Sequence, residues 1–133
     1  MFFKIKILKL LLIIGATFYA IAAVVHFFGL TLFPFYDANL YTPYHDTIIS
    51  LVAIILSILL LTVAKNPIKN VDSLNVIITG GIIAIIFGIG ILWKIDFAQL
   101  GAPAKKIQTI AEVILLAIYI PLLIYLKPKN IKM

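Results

Sequence analysis

The stretch IQTIAEVILLAIYIPLLIY, residues 107–125, decides the fold class. It is apolar almost throughout, and as a helix it would reach about 28 Å at ~1.5 Å per residue, close to the ~30 Å hydrocarbon core of a bilayer. Three other stretches have the same character. We therefore predict four membrane spans, at residues 8–33, 47–64, 73–95 and 107–126.

The composition excludes a soluble globular protein. Hydrophobic residues make up 64% of the chain and charged residues 12%, whereas soluble domains are nearer half apolar. The sequence predicts an all-α integral membrane protein with a single transmembrane domain over residues 1–133. Because every connection between the spans is short, we expect an antiparallel, up-down four-helix bundle.

The start of the chain resembles a signal peptide but is interpreted as a retained span. Lys4, Lys6 and Lys9 precede an apolar run, and residues 20–22 resemble a cleavage site. The apolar run continues to Phe33 without the polar region that follows a cleaved signal. We therefore expect residues 8–33 to remain as the first span.

The lysines predict the orientation, because basic flanks of membrane spans stay in the cytoplasm. Eight would lie on one side (Lys4, Lys6, Lys9, Lys65, Lys69, Lys127, Lys129 and Lys132) and three on the other (Lys94, Lys105 and Lys106). Both termini are thus expected in the cytoplasm. The lysines are split among short segments without arginine, so the lipid bilayer is the expected partner and nucleic acid is not. The absence of arginine and the abundance of isoleucine suggest an AT-rich or thermophilic source, and the expected localisation is a prokaryotic cell membrane.

Small residues predict where helices pack closely. Gly80, Ala84 and Gly88 recur every four residues on the third span, and in lipid such residues let helix backbones approach each other. The contact is expected either within the protein or with a partner, which would be another membrane subunit or a second copy.

Glu112 is the main candidate for a binding site, because an unpaired carboxylate in hydrocarbon costs at least about 2.5 kcal/mol. It should face the bundle interior, roughly 9 Å below the outer surface at ~1.5 Å per residue. His26 is expected at the same depth and is the preferred partner. Gln108 and Tyr19 would extend the polar network, and Ser50 lies on the polar stripe of the second span.

Three interpretations of this cluster remain open. It is a polar plug that fixes helix register, a binding or proton-handling site built on Glu112 and His26, or a metal site formed by His26, His45, Asp46 and Glu112. Such ligands suit Zn, Cu, Mn or Fe, but no paired ligand spacing is present. No catalytic motif occurs either, so the sequence favours a non-catalytic protein and names no cofactor.

One segment carries a resemblance. The stretch PYHDTIISLVAIILSILLLTVAKNPIKNVDSL, residues 43–74, resembles the middle of small four-span bacterial and archaeal membrane proteins of unknown function. The likeness lies in the aromatic outer loop and in a span that ends with a basic residue, then proline, then a Ser-Leu helix start. Those proteins often have a histidine in the third span, where this chain reads IIAIIFGIGIL, residues 82–92. The resemblance implies a four-span architecture and no particular activity.

We expect a small accessory or structural subunit of a larger membrane complex, because no soluble domain exists to carry chemistry and the intramembrane polar groups are few. The alternative is a self-contained membrane enzyme, transporter or receptor. It would bind a proton or a lipid-like ligand at the extracytoplasmic end, around Glu112 and His26. The aromatic loop between the first two spans would then be a lid; otherwise it is an interfacial belt.

Overall fold

The computed structural model describes residues 1–129, and this part of the chain is all-α, with no strand. Four helices follow one another: α1 (Phe2–Phe28), α2 (Pro43–Lys65), α3 (Val71–Lys94) and α4 (Pro103–Leu126). A short 3₁₀ helix, Ala38–Leu40, lies in the loop between α1 and α2. All four α-helices are long and apolar enough to cross a membrane. The predicted number and type of elements are confirmed.

The helix that contains most of the first predicted span, residues 8–33, has different ends, since α1 begins at Phe2 and ends at Phe28. Gly29 stops the helix by adopting a left-handed conformation with φ 63°, which costs glycine little. Its N–H donates to the His26 carbonyl, and the N–H of Leu30 donates to the Val25 carbonyl at 2.9 Å. These bonds satisfy carbonyls at the helix end, and they release residues 29–42 into a folded loop.

Helices α1 and α2 pack against each other along most of their length. Six of the seven buried positions of α2 follow an alternating four-and-three spacing, Asp46, Ser50, Ala53, Ser57, Leu60 and Ala64, and Val63 is the seventh. Two serines on this stripe donate to the backbone of α1, Ser50 to the Ala23 carbonyl at 2.7 Å and Ser57 to the Ala16 carbonyl at 2.8 Å. The two bonds are seven residues apart on each helix, so they fix one antiparallel register.

Helices α3 and α4 form a second antiparallel pair, but not through the whole predicted stripe. Gly88 lies at Val113 and Gly81 lies at Ile120, so close that an added Cβ would collide at either glycine. Gly80 and Ala84 are exposed instead. The reason is helical geometry: eight residues turn the side-chain direction by about 80°, whereas seven turn it by only about 20°. The contact therefore follows the spacing from Gly81 to Gly88.

The two ends of the bundle differ. The lysine-rich end contains the start of α1 and the end of α4, where the Lys4 ammonium lies 4.1 Å from the centre of the Tyr125 ring. Here all four helices enclose an apolar core, whose members include Leu8, Leu12, Leu60, Val63, Leu74, Ile78, Ile120, Leu123 and Leu126. At the opposite loop end, residues 29–42 fold over α1, α2 and α4. The end of α3 is open there, with Trp93 92% exposed.

Candidate functional site

A histidine and an aspartate join α1 to α2 at the loop end. Nδ1 of His26 lies 2.7 Å from Oδ1 of Asp46, and both side chains are largely buried. The other Asp46 oxygen accepts the backbone N–H of Thr42 at 2.6 Å. His26 was expected to pair with Glu112, but its hydrogen-bonded partner is Asp46. The antiparallel register explains this. Ser50 lies opposite Ala23, so about one helical turn closer to the loop residue 46 lies opposite residue 26.

Glu112 takes a different partner from its own helix. The Lys105 ammonium lies 3.3 Å from Oε1 of Glu112 and donates to the Phe35 carbonyl at 3.4 Å. Lys105 precedes Glu112 by seven residues, which places both on the same face of α4. Glu112 still lies near enough to His26 and Tyr19 to interact with them electrostatically. The carboxylate therefore faces α1 while an ammonium neutralises it.

The loop supplies a buried tyrosine to the same region. The Tyr36 ring lies against the His26 ring with a centroid separation of 4.2 Å, and its carbonyl accepts a hydrogen bond from Nε2 of Gln108 at 3.3 Å. Phe35 next to it packs against Phe18. The loop thus fills the space between α1 and α4. We call the side chains gathered here the loop-end cluster: His26, Tyr36, Asp46, Lys105, Gln108 and Glu112.

Two buried atoms of the cluster have no hydrogen-bond partner among residues 1–129, the Tyr36 hydroxyl and Oε1 of Gln108. Burial, and next the nearby Asp46 carboxylate, raise the pKa of Tyr36 above its ordinary value. The phenol therefore stays neutral at physiological pH and keeps its proton to donate. An unpaired buried polar group costs about 1–3 kcal/mol. Of the two, the Tyr36 hydroxyl still faces the Asp46 carboxylate, which leaves Oε1 of Gln108 as the buried acceptor without a partner among residues 1–129.

The other two predicted binding residues lie at the edge of the cluster or outside it. The Ser50 hydroxyl is occupied by the Ala23 carbonyl, so it serves helix packing. Tyr19 packs edge-on against Phe18, with ring centroids 5.7 Å apart, and borders the cluster on the side of Glu112. Sequence reasoning missed Tyr36 and Lys105, although the seven-residue spacing of Lys105 and Glu112 was visible.

Of the four predicted metal ligands, the structure pairs only His26 with Asp46. His45 is exposed and packs edge-on against Tyr44, because consecutive helical residues point about 100° apart and only Asp46 faces α1. Glu112 is held by Lys105. Within residues 1–129, no group of three or more His, Cys, Asp or Glu side chains is placed to hold a metal ion. The metal set His26, His45, Asp46 and Glu112 therefore stays a prediction that the described side-chain positions do not support.

Comparison with known proteins returned no match, whether to protein families, to curated proteins or to solved structures.

Proposed function

We propose that this chain is a multi-pass protein of a prokaryotic cell membrane, with its lysine-rich end in the cytoplasm. Four apolar helices support the insertion, and the concentration of lysine near the start of α1 and the ends of α2 and α4 supports the orientation. Lys132, which contributed to that prediction, lies outside the described residues. Within the membrane the protein acts as a non-catalytic accessory or structural subunit of a larger complex.

One observation carries the structural role: the interior polar groups are largely engaged in holding the helices together. Ser50, Ser57 and Tyr119 each donate to a backbone carbonyl of α1, and His26 is paired with Asp46. A transport pathway or catalytic centre needs polar side chains that are free to meet a substrate. Here the same residue types stabilise helix–helix contacts instead.

The proposed partner surface is the open face of α3, defined by Val76, Gly80, Ile83 and Ala84. Only 6% of the most apolar window of α3 is buried, against 22% or 33% for the other helices. A Cβ added at Gly80 would meet nothing within 4 Å. Because a glycine on an open helix face lets another backbone approach closely in lipid, a transmembrane helix of another subunit, or of a second copy, packs there.

Two adjacent glycines test this role. Gly80→Leu meets open space within the protein, whereas Gly81→Leu would collide with Ile120. We expect Gly80→Leu to fold normally but to lose its partner in native mass spectrometry after gentle purification, and Gly81→Leu to damage the α3–α4 pair itself. Retention of the partner by a folded Gly80→Leu variant, or a wild-type protein that elutes alone, would reject the subunit proposal.

The orientation has a separate test that exploits the absence of cysteine. Single cysteines introduced by Asn39→Cys and Lys129→Cys report on the loop end and the lysine-rich end. A membrane-impermeant maleimide applied to intact cells should label the first variant and spare the second until the cells are permeabilised. The reverse pattern would invert the proposed topology.

A second candidate function is a small pocket that binds a proton or a lipid-like ligand at the loop-end cluster. The Gln108 oxygen favours it, because it is buried without a partner among residues 1–129 and Gln108 lies one turn before Glu112 on α4. Glu112→Gln separates the two proposals, since the amide keeps the hydrogen-bonding capacity and removes the charge. Normal assembly with lost ligand or proton binding would favour the pocket, and normal assembly with unchanged binding would leave the subunit role.

A further inference from the structure

Two adjoining concavities lie at the loop end of α3, away from the loop-end cluster. One, of about 450 Å³, is formed by the end of α3, the turn at residues 95–98 and the first turn of α4. The other, of about 730 Å³, runs along the second half of α3. Trp93, Lys94 and Ile95 line both. The pair therefore forms one continuous surface with two chemically different parts.

The smaller concavity is polar and positively charged. Lys94 and Lys106 line it, and within residues 1–129 neither has a carboxylate within 4 Å of its ammonium. The nearest acid in the lining, Asp96, points back into its own turn, where it accepts the backbone N–H groups of Ala98 and Gln99 at 3.0 and 3.3 Å. No other acidic residue lines this part. Two ammonium groups thus share a hollow with one carboxylate, which leaves an excess of positive charge there.

The larger concavity is an almost wholly apolar groove. Besides the shared residues, it is lined by Ile86, Phe87, Gly90 and Ile91. Gly90 has no side chain, and an added Cβ there would meet nothing within 4 Å. The floor of the groove is therefore bare backbone between bulky side chains, a shape that accommodates a linear alkyl chain.

We infer that this surface binds an anionic phospholipid, with Lys94 and Lys106 at the phosphate and one acyl chain in the groove along α3. Charge complementarity selects a phosphate in the polar part, and only a molecule that joins a phosphate to a hydrocarbon chain occupies both parts at once. Free phosphate would use the lysines alone, and a neutral alkyl chain the groove alone. The site would lie at headgroup level, where the end of a spanning helix meets the aqueous boundary. It does not depend on the proposed subunit role.

Trp93 makes the site directly measurable, because it is the only tryptophan in the chain and lines both concavities. The full-length protein is placed in phosphatidylcholine bilayers that contain increasing fractions of phosphatidylglycerol with brominated acyl chains, which quench tryptophan on contact. Brominated phosphatidylcholine serves as the comparison lipid. We expect phosphatidylglycerol to quench at a mole fraction about 25-fold lower than phosphatidylcholine, since each of the two lysines near a lipid surface contributes roughly a fivefold preference for anionic lipid and the two preferences multiply.

Substitutions assign the quenching to the two parts of the surface. The double variant Lys94→Gln, Lys106→Gln should abolish the preference for phosphatidylglycerol, whereas Lys65→Gln, Lys69→Gln at the lysine-rich end should retain it. Gly90→Leu adds a side chain whose Cβ meets nothing within 4 Å, so it should fill the groove and weaken quenching by phosphatidylglycerol. Far-ultraviolet circular dichroism of every variant confirms that the helices are intact before the quenching is compared.

Three results would overturn the inference. Equal quenching by the two brominated lipids would show an unselective lipid shell, and unchanged selectivity in the Lys94→Gln, Lys106→Gln variant would place the preference elsewhere. The third concerns the source of the phosphate. If millimolar inorganic phosphate displaces brominated phosphatidylglycerol while an equal concentration of chloride does not, the lysines form a site for free phosphate and the lipid assignment fails.

Discussion

The helices are joined by apolar packing at one end of the bundle and by polar contacts at the other. At the lysine-rich end, leucine and isoleucine side chains from all four helices interlock in an apolar core. At the loop end, α1, α2 and α4 surround polar and charged side chains together with the buried Tyr36 of the loop. In a bilayer, apolar side chains gain little by leaving hydrocarbon, so packing shape stabilises the first end. Specific hydrogen bonds fix the second.

The difference predicts that mutations act through different mechanisms at the two ends. Truncating a core leucine leaves a void, and its cost depends on how well neighbours collapse into it. Removing one partner of a buried ion pair leaves the other charge or polar group unpaired. Neighbouring side chains cannot recover this loss of stability by moving into the space. The loop end should therefore be the more sensitive to single substitutions. The following predictions run from the largest expected effect to the smallest.

Asp46→Ala should be the most destabilising of these changes, by about 3–5 kcal/mol. It leaves both the His26 ring and the Thr42 backbone N–H without their acceptor. Reversible unfolding by sodium dodecyl sulfate in mixed micelles measures the free energy of unfolding. The control Asp46→Asn keeps an acceptor oxygen and should cost about half as much; a loss below about 1 kcal/mol for the alanine variant would contradict the role of the pair.

Leu123→Ala should cost about 2–3 kcal/mol through the cavity that it creates in the apolar core, because Leu123 is fully buried. The matched control is its neighbour Ile124, which is 49% exposed. Ile124→Ala removes a similar volume from the outer surface and should change the free energy of unfolding by less than about 0.5 kcal/mol. Similar losses in the two variants would mean that α4 does not present Leu123 to the core.

Gly81→Ala and Gly80→Ala should change the free energy of unfolding in opposite directions. The new methyl group at position 81 would collide with Ile120, and such overpacking costs about 1–2 kcal/mol. At position 80 it meets nothing, so the better helix propensity of alanine should stabilise the isolated protein by about 0.5–1 kcal/mol. The same unfolding assay, run on the protein without partners, measures both. If Gly80→Ala were the destabilising change, α3 would be rotated so that Gly80, and not Gly81, faces α4.

Ser57→Ala should give the smallest effect, a loss of about 0.5–1 kcal/mol, which is typical of one hydrogen bond between membrane helices. Its hydroxyl donates across to the Ala16 carbonyl. Thr62 provides the control, since its hydroxyl donates to Ile58 of its own helix and Thr62→Ala breaks no contact between helices. An equal response in the two variants would indicate that the bond to Ala16 contributes nothing to the α1–α2 pair.

The sequence predicted the four helices because length and hydropathy alone determine a membrane-spanning element. It also predicted that Ser50 lies on a polar stripe of the second span, and this stripe is the buried face of α2. It failed at Gly29, because the apolar run continues beyond the glycine and hydropathy does not detect a left-handed cap. Neither the end of α1 nor the exact start of the loop that follows it could be read from hydropathy averaged along the apolar run.

The composition of the candidate site was harder to predict than the fold. The partner of His26 depends on helix register, and the register is fixed by serine bonds to the carbonyls of Ala16 and Ala23. Backbone carbonyls have no sequence signature, so the choice of Asp46 over Glu112 was not determined by spacing. The resemblance to four-span proteins of unknown function stays a prediction, as does the subunit role.

The bond between Tyr119 and the Leu11 carbonyl, 2.9 Å long, has a consequence for biogenesis. The first hairpin, α1 with α2, contains its own serine bonds and its own acid–imidazole pair, so it can mature in the membrane while the rest of the chain is still being synthesised. The second hairpin, α3 with α4, then docks later. The hydrogen bond from the Tyr119 hydroxyl to α1 forms at that step. Ribosome-bound chains halted just before residue 100 should therefore already contain the first hairpin in a protease-resistant form. A protease-sensitive first hairpin in such chains would show that the four helices assemble together.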